Sequence, residues 1–353
     1  PSGVLTIGNM VSTMFLVSPH PPAEPPVVVA FGAGVDSTAM LLEMVAQGRR
    51  IDLVLFADTG SEKPETYAYR DLIFRWLRRR GIRCETVRYE PRRFKHWPPY
   101  RTLDENCFTN GTLPSISFGR HSCSQKWKIE PQDRFVEAWE PAISWWARGG
   151  KVTKCIGYDA GARDSKRYAH AEGHLDPRYD YEYPLREWGW DRAACEARIL
   201  AEGLPLPSKS ACFMCGAAKP WEIRDLPISQ LRRIVLMEAR AKPRLRNVEG
   251  LWRKSVKGRN GAERRPGAMT DFIRDEQLLP SDEIDAIIAT APAALVRFQD
   301  TEGNFPIEKR AELSAWLRWF DTNDMRLFDG PSGPRFYDGC AGPHVPAGQR
   351  VAA

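Results

Sequence analysis

The stretch Val27-Val28-Val29-Ala30-Phe31-Gly32-Ala33-Gly34-Val35-Asp36-Ser37-Thr38 decides the fold. An apolar, β-branched run ends in a small-residue loop and passes straight into Ala39-Met40-Leu41-Leu42-Glu43-Met44. That order reads as a buried strand, a tight turn and a helix whose first turn carries Asp36, Ser37 and Thr38. Such a junction aims backbone N–H groups and the positive end of a helix dipole at one spot, which suits a phosphate. The loop is no Walker A motif, because no Lys follows the glycines where that motif needs one. Nor is it the dinucleotide G-x-G-x-x-G, since Asp36 and Ser37 occupy positions where that fingerprint closes on Gly. The plain alternative is an ordinary βα turn of a doubly wound sheet.

Working outward, Ile51 to Ala57 is a second continuous apolar strand, ending at Asp58-Thr59-Gly60. Glu62, Pro64, Glu65 and Thr66 follow, and then a helical run from Tyr67 to Arg80. Ligands of open α/β sheets lie at the carboxyl ends of strands, so Asp58 and Thr59 should face the same crevice as Gly34 to Thr38. A further strand signal, Lys151 to Tyr158, leads into Asp159-Ala160-Gly161-Ala162-Arg163-Asp164-Ser165-Lys166-Arg167. Strand units at 26–46, 51–80, 83–90 and 151–157 predict an α/β fold: a doubly wound, mainly parallel, Rossmann-like sheet with helices on both faces. Its crossovers should be right-handed.

The loop resembles the S-G-G-x-D-S pyrophosphate loop of the adenine nucleotide α-hydrolase (PP-loop ATP pyrophosphatase) superfamily, whose fold is of the HUP type. Gly32 stands for the Ser and Ala33 for the first Gly, while Gly34, Asp36 and Ser37 are kept. The second strand end resembles D-T-G-x-E-x-P-E-T of the phosphoadenosine-phosphosulfate-reductase-like branch, with every residue present from Asp58 to Thr66. The resemblance spans roughly residues 26 to 225 and implies ATP as cofactor. Its phosphates would lie on Phe31, Gly32, Ala33, Gly34, Val35, Asp36, Ser37 and Thr38. Adenosine would lie near Asp58 and Thr59, with Gly157 in the turn that closes over the nucleotide. Mg2+ on Asp36 would offset phosphate charge. Arg163 and Arg167, helped by Lys166, would neutralise the departing pyrophosphate through their guanidinium forks. Asp36, Arg163 and Arg167 are thus the candidate catalytic set; the plain alternative for the arginines is a solvated basic loop.

Eight cysteines in 353 residues, with no secretory signal read at the N-terminus, argue against a disulfide framework. Cys84, Cys155 and Cys195 fall in strand or helix patterns and read as small buried apolar residues. Cys212-Phe213-Met214-Cys215 is a C-x-x-C on a turn, the spacing that lets two thiolates grip one metal or cluster. Cys123 lies in a segment resembling the C-[ST]-x-x-x-K-[IV]-x-P element of phosphosulfate-reductase-like and DNA-phosphorothioation enzymes, where the Cys ligates an iron–sulfur cluster. Three readings compete for Cys123, Cys212 and Cys215: a [4Fe–4S] cluster with three protein ligands, a structural Zn2+ site using Cys107 as fourth ligand, or a free dithiol. Cys340 and His344 loosely resemble the E-C-G-x-H tail of true phosphosulfate reductases, but with altered spacing.

From Leu231 to Pro266 twelve Lys or Arg face only three Glu, a local balance of +9 in a chain whose total is +6. Arg232, Arg233, Arg240, Lys242, Arg253, Lys254, Lys257 and Arg259 are the candidate nucleic-acid contacts, since such a tract suits a phosphate backbone. A solvated helical face is the alternative. Residues 1–25 read as a loose arm, 26–225 as the nucleotide-binding domain with its cysteines, and 226–353 as a mainly helical basic region. No apolar stretch approaches the roughly 20 residues of a membrane helix, and the composition suits a cytoplasmic enzyme.

The expected activity is ATP-dependent adenylation of a nucleic-acid or nucleotide substrate, with pyrophosphate release, for sulfur insertion. DNA or tRNA would be the partner, with a cysteine desulfurase or another sulfur donor supplying sulfur. Two alternatives remain open. One is a reductase of activated sulfate; the other is a nucleotide-switched nucleic-acid-binding component of a modification or defence system.

Overall fold

The computed structural model describes residues 23–91, 100–114, 116–117, 120–257 and 264–291. The expectations for residues 1–22, for Arg259 and for the tail with Cys340 and His344 lie outside the described residues.

In chain order, β1 (Val27–Ala30) leads to α1 (Val35–Ala46), β2 (Leu53–Asp58) to α2 (Pro64–Arg78), and then β3 (Cys84–Arg88) follows. After α3 (Leu103–Asn110) comes a two-residue hairpin of β4 (Ile116–Ser117) and β5 (Arg120–His121). A short α4 (Ser122–Ser124) runs through a π-helical turn, Gln125–Ile129, into α5 (Glu130–Glu137) and α6 (Glu140–Trp146). Next come β6 (Val152–Ile156), α7 (Ala162–Ala171), β7 (Tyr179–Glu182), α8 (Pro184–Glu187) and α9 (Arg192–Ala201). The chain continues through α10 (Pro220–Arg224), α11 (Ile228–Ala241), α12 (Met269–Asp275) and α13 (Ser281–Thr290).

The sheet order is β3-β2-β1-β6-β7, and every pairing is parallel. The doubly wound α/β fold is therefore as the strand pattern predicts. β7 adds an edge strand that the pattern did not reveal: Tyr179-Asp180-Tyr181-Glu182 is short and only one residue of it is fully buried, so it lacks an apolar run.

Alternation along the strands feeds two cores. Val29, Val54, Phe56, Cys84 and Cys155 face α1, α2 and α9, where Cys195 also packs. Val28, Leu53, Leu55, Ala57, Val87 and Val152 face α5 and α6. Both faces are thus covered, which is why β2 is buried along its whole length. Cys84, Cys155 and Cys195 serve as small apolar fillers.

A third core joins Leu103, Phe108 and Trp127 to residues from Phe213 to Ala291, so it runs across residue 226. Glu238 organises it from inside, accepting the backbone N–H groups of Leu251 at 2.6 Å, Met269 at 2.9 Å and Thr270 at 2.7 Å. Among the described residues no helix is long and apolar enough to cross a membrane.

Candidate nucleotide site and cysteine turn

Strand order reverses between β1 and β6, so the switch-point crevice lies where their carboxyl ends diverge. The loop Phe31–Gly34 leaves β1 there, and the first turn of α1 carries no side-chain cap. The opposite wall is close: a methyl group on Gly157 would sit 3.0 Å from both N and Cα of Ser37. Gly157 is thus needed for two backbones to approach across the crevice.

Within the loop the side chains divide sharply. Phe31 packs between Phe56 and Phe74, and Ala33, Val35 and Thr38 are fully or almost fully buried. The Thr38 hydroxyl donates to Gly34 O at 2.7 Å. The Thr38 hydroxyl, expected to hydrogen-bond phosphate, is engaged here with the loop's own backbone. Ser37 Oγ accepts from Gly32 N at 3.2 Å and shapes the loop. Ala33 has φ +54°, a left-handed conformation that a glycine adopts without strain.

Asp36 projects into the crevice and meets two further carboxylates, Asp159 and Asp164, with one oxygen from each lying within 4.8 Å of the others. Burial raises the Asp36 carboxyl above its ordinary range, and Asp159 and Asp164 add to this while Arg192 opposes it. Arg192 Nη1 lies 3.3 Å from Asp36. Arg167 reaches Asp164 at 3.2 Å and Arg163 at 3.9 Å, both guanidiniums remaining largely exposed. The site thus gathers oxygen donors, which suit a hard cation, beside cations that suit an anion. Arg192 and Asp164 were missed as site residues, because one lies at the start of a distant helix and the other between two more conspicuous arginines.

The turn after β2 is different. Asp58 is buried and accepts from Arg88 at 2.5 and 2.8 Å, from Tyr67 Oη at 2.8 Å and from Gly60 N at 2.7 Å. Gly60, at φ +71°, faces Thr102 so closely that a methyl would lie 2.2 Å from its Cγ2. The Thr59 hydroxyl lies 3.1 Å from Glu62 Oε1 and 3.3 Å from Cys212 Sγ. Both side chains are thus engaged in holding the turn and the cysteine segment.

That segment pairs with the turn. Glu62 and Cys212 form an antiparallel bridge, flanked by Lys63 N to Ala211 O at 3.4 Å and Phe213 N to Ser61 O at 3.0 Å. One step earlier, the Ser210 hydroxyl donates to Gly32 O, tying the cysteine turn to the β1 loop. Glu62 is buried with Lys128 at 2.8 Å and the Cys212 thiol at 3.5 Å. The pKa of the half-buried Lys128 is raised, because Glu62 and the Cys212 and Cys215 thiols outweigh its desolvation. Burial, followed by Glu62, pushes the Cys212 thiol well up, with Lys128 opposing. Glu62 and Lys128 sit in the two quoted motifs, D-T-G-x-E and K-[IV]-x-P; their mutual contact is what joins those motifs.

Cys107, Cys123, Cys212 and Cys215 are all free thiols. They form a chain of electrostatic neighbours, Cys107 to Cys123, Cys123 to Cys215 and Cys215 to Cys212. A tetrahedral zinc at about 2.3 Å from each sulfur needs sulfurs roughly 3.8 Å apart. Among the described residues, the one group of three or more metal-ligand side chains within 4.8 Å of one another is the aspartate trio. No three of these thiols lie within that distance of one another.

One arginine of the basic tract is buried and two are paired with carboxylates of the fold. Arg240 is 1% exposed and donates to Phe108 O at 2.8 Å, burial pulling its guanidinium down to about 10. Arg233 pairs with Asp104 and Arg232 with Glu283. Arg240 is thus withdrawn from nucleic-acid contact, and Arg232 and Arg233 are engaged by carboxylates of the fold. Lys242, Arg253, Lys254 and Lys257 remain on the surface.

No protein-family model and no curated protein matches this chain. Among solved structures it is similar to a phosphoadenylyl-sulfate reductase from Candida auris in a phosphate complex. The two are 14% identical with a TM-score of 0.31, over 52% of this chain and 76% of that one.

Proposed function

We propose that this chain is an ATP-using enzyme of the PP-loop type, which activates an oxygen of a nucleic-acid or nucleotide substrate by adenylation and releases pyrophosphate. The observation that carries this reading is the coincidence, at one switch point, of an uncapped helix start, the Gly157 wall and the Asp36–Asp159–Asp164 trio. Backbone N–H groups between Ala33 and Ser37 receive the phosphates. The three aspartates would hold Mg2+, which when bound offsets phosphate charge. Arg163, Arg167 and Arg192 face the leaving pyrophosphate and stabilise its developing charge.

Cys123, Cys212 and Cys215, with Cys107 or an open corner as the fourth position, would hold a [4Fe–4S] cluster, which when bound supplies an iron able to carry sulfide. The chain's own part is to shield that region: Trp127 and Phe213 pack beside the thiols and Lys128 balances buried Glu62. Lys242, Arg253, Lys254 and Lys257, on the surface of the basic tract, would meet a nucleic-acid backbone.

The test is pyrophosphate release from ATP by the purified full-length protein, with single-stranded DNA, duplex DNA and tRNA as acceptors. Acceptor-dependent release is expected, and release with none of the three overturns the reading. Brown protein absorbing near ~400 nm with bound iron is the expected signature of the cluster; colourless protein with no iron rules it out.

A further inference from the structure

The loop after β1 is poor in side-chain donors of its own. Gly32 and Gly34 have none, and Ala33 and Val35 are buried apolar residues. The Thr38 hydroxyl is buried on Gly34 O at 2.7 Å. Ser37 Oγ lies 3.2 Å from Gly32 N and 3.4 Å from Gly34 O, within the loop's own bonding. Another hydroxyl nevertheless reaches the loop, from 178 positions along the chain: Ser210 Oγ donates to Gly32 O. We propose that Ser210 is a phosphate-binding residue, supplying from the cysteine segment the side-chain donor that Gly32 lacks. This rests on the phosphate cradle of the proposed function and adds to it a residue outside the PP-loop and D-T-G motifs.

Ser210 is close to the middle of the cradle as well as to its start. A methyl group on Gly34 would lie 3.7 Å from Ser210 Cβ, which puts the serine alongside the N–H groups that receive the phosphates. Its backbone is held on both sides. Before it, Lys209 Nζ donates to Glu222 at 2.7 Å and to Ala217 O at 3.2 Å. After it, Ala211 O accepts from Lys63 N and Cys212 bridges Glu62. A hydroxyl on so fixed a segment needs little further ordering to meet a ligand. Ser210 is half-buried and Gly32 exposed, so the bond between them lies on the accessible side of the loop. A hydroxyl has one proton and rotates to suit its acceptor. Donation to an anionic oxygen is stronger than to a neutral carbonyl, and water can replace the bond given up by exposed Gly32 O. Ser210 also lies two residues before Cys212, so one segment serves both the phosphate end and the thiols.

The experiment is calorimetric titration of the full-length protein, with Mg2+, by inorganic pyrophosphate. Ser210→Ala should weaken binding about tenfold, as loss of one hydrogen bond to a charged group does. Gly32→Ser added to Ser210→Ala returns a hydroxyl to the loop and should bring binding back to within about threefold of the parent. The loop has room for it, since a Cβ on Gly32 would meet Ser37 Oγ at 3.8 Å, an ordinary contact. A serine at position 32 cannot rebuild the tie from residue 210, so restoration reports a phosphate contact and not a brace. Undiminished binding by Ser210→Ala overturns the proposal. So does a loss that Gly32→Ser fails to restore, which would make Ser210 a prop for the loop. In both cases binding by the parent leaves the cradle standing. If the parent itself binds no pyrophosphate, the cradle fails and the proposal falls with it.

Discussion

The loops after β1 and β2 leave the same edge of one sheet, side by side, and both carry a motif that a family resemblance links to nucleotide. They are built in opposite ways. The β1 loop buries its apolar side chains and leaves backbone N–H groups and Asp36 facing the crevice. The β2 turn buries its polar side chains and satisfies them within the protein, Asp58 by Arg88, Tyr67 and Gly60, and Glu62 by Lys128. A shared motif thus covers two physical tasks. One turn presents a ligand site, and the other fixes the wall on which the cysteine segment is mounted.

Substitutions can break this contrast. Asp58→Ala strands the Tyr67 hydroxyl and the Gly60 N–H, and should destabilise the fold by about 3 kcal/mol in urea unfolding. If it unfolds like the parent yet loses ATP, the β2 turn is a ligand site after all. Lys128→Met leaves the Glu62 charge buried without its cation and should cost a similar amount, roughly 3 kcal/mol. The double variant Glu62→Leu with Lys128→Met should recover most of that loss, and a failure to recover would mean that the pair does more than compensate charge.

Asp36→Asn tests the open loop. Acceptor-dependent pyrophosphate release should fall at least about tenfold, the effect of losing one charged contact to the transferring phosphates or their cation. Its stability should move the other way. Because the folded-state pKa of Asp36 is raised, mainly by burial, its contribution is fully present below the unfolded value near ~3.9 and is lost as pH rises through the folded value. The variant should therefore match the parent in acid and exceed it at neutral pH, by less than about 1 kcal/mol. An advantage that grows toward acid would invert the sign and reject the buried-carboxylate account. The smallest effect is expected for Ala33→Gly. Relief of the left-handed strain at φ +54° less the added chain entropy should stabilise by about 0.5 kcal/mol or less.

The sheet was legible in the sequence because β1 and β2 are written as apolar runs, while β3 and β6 set buried Cys84, Val87, Val152 and Cys155 among polar residues. β7, half-exposed and tyrosine-rich, carries no such mark. The Gly32–Thr38 cradle was legible because its turn chemistry is local. What escaped is non-local. Arg192 meets Asp36 across more than 150 residues, and Lys128 meets Glu62 from a helix of unusual pitch. The same holds within the basic tract: a sequence displays the sign of Arg240 and Arg233 but not the carbonyl and carboxylate that they meet.

The position of β1 in the sheet also sets a timetable. Its partner β6 follows only after more than a hundred residues. At roughly 5–20 residues per second of synthesis, the far edge of this central strand stays open for on the order of ten seconds. During that wait Val27–Ala30 is a hydrophobic strand with a bare ladder on one side, a template for pairing with the wrong chain. The crevice between β1 and β6 does not exist until that edge is closed. Nascent chains therefore have nothing for a nucleotide to hold, and ligand added during synthesis should rescue yield only after residue 156 has emerged.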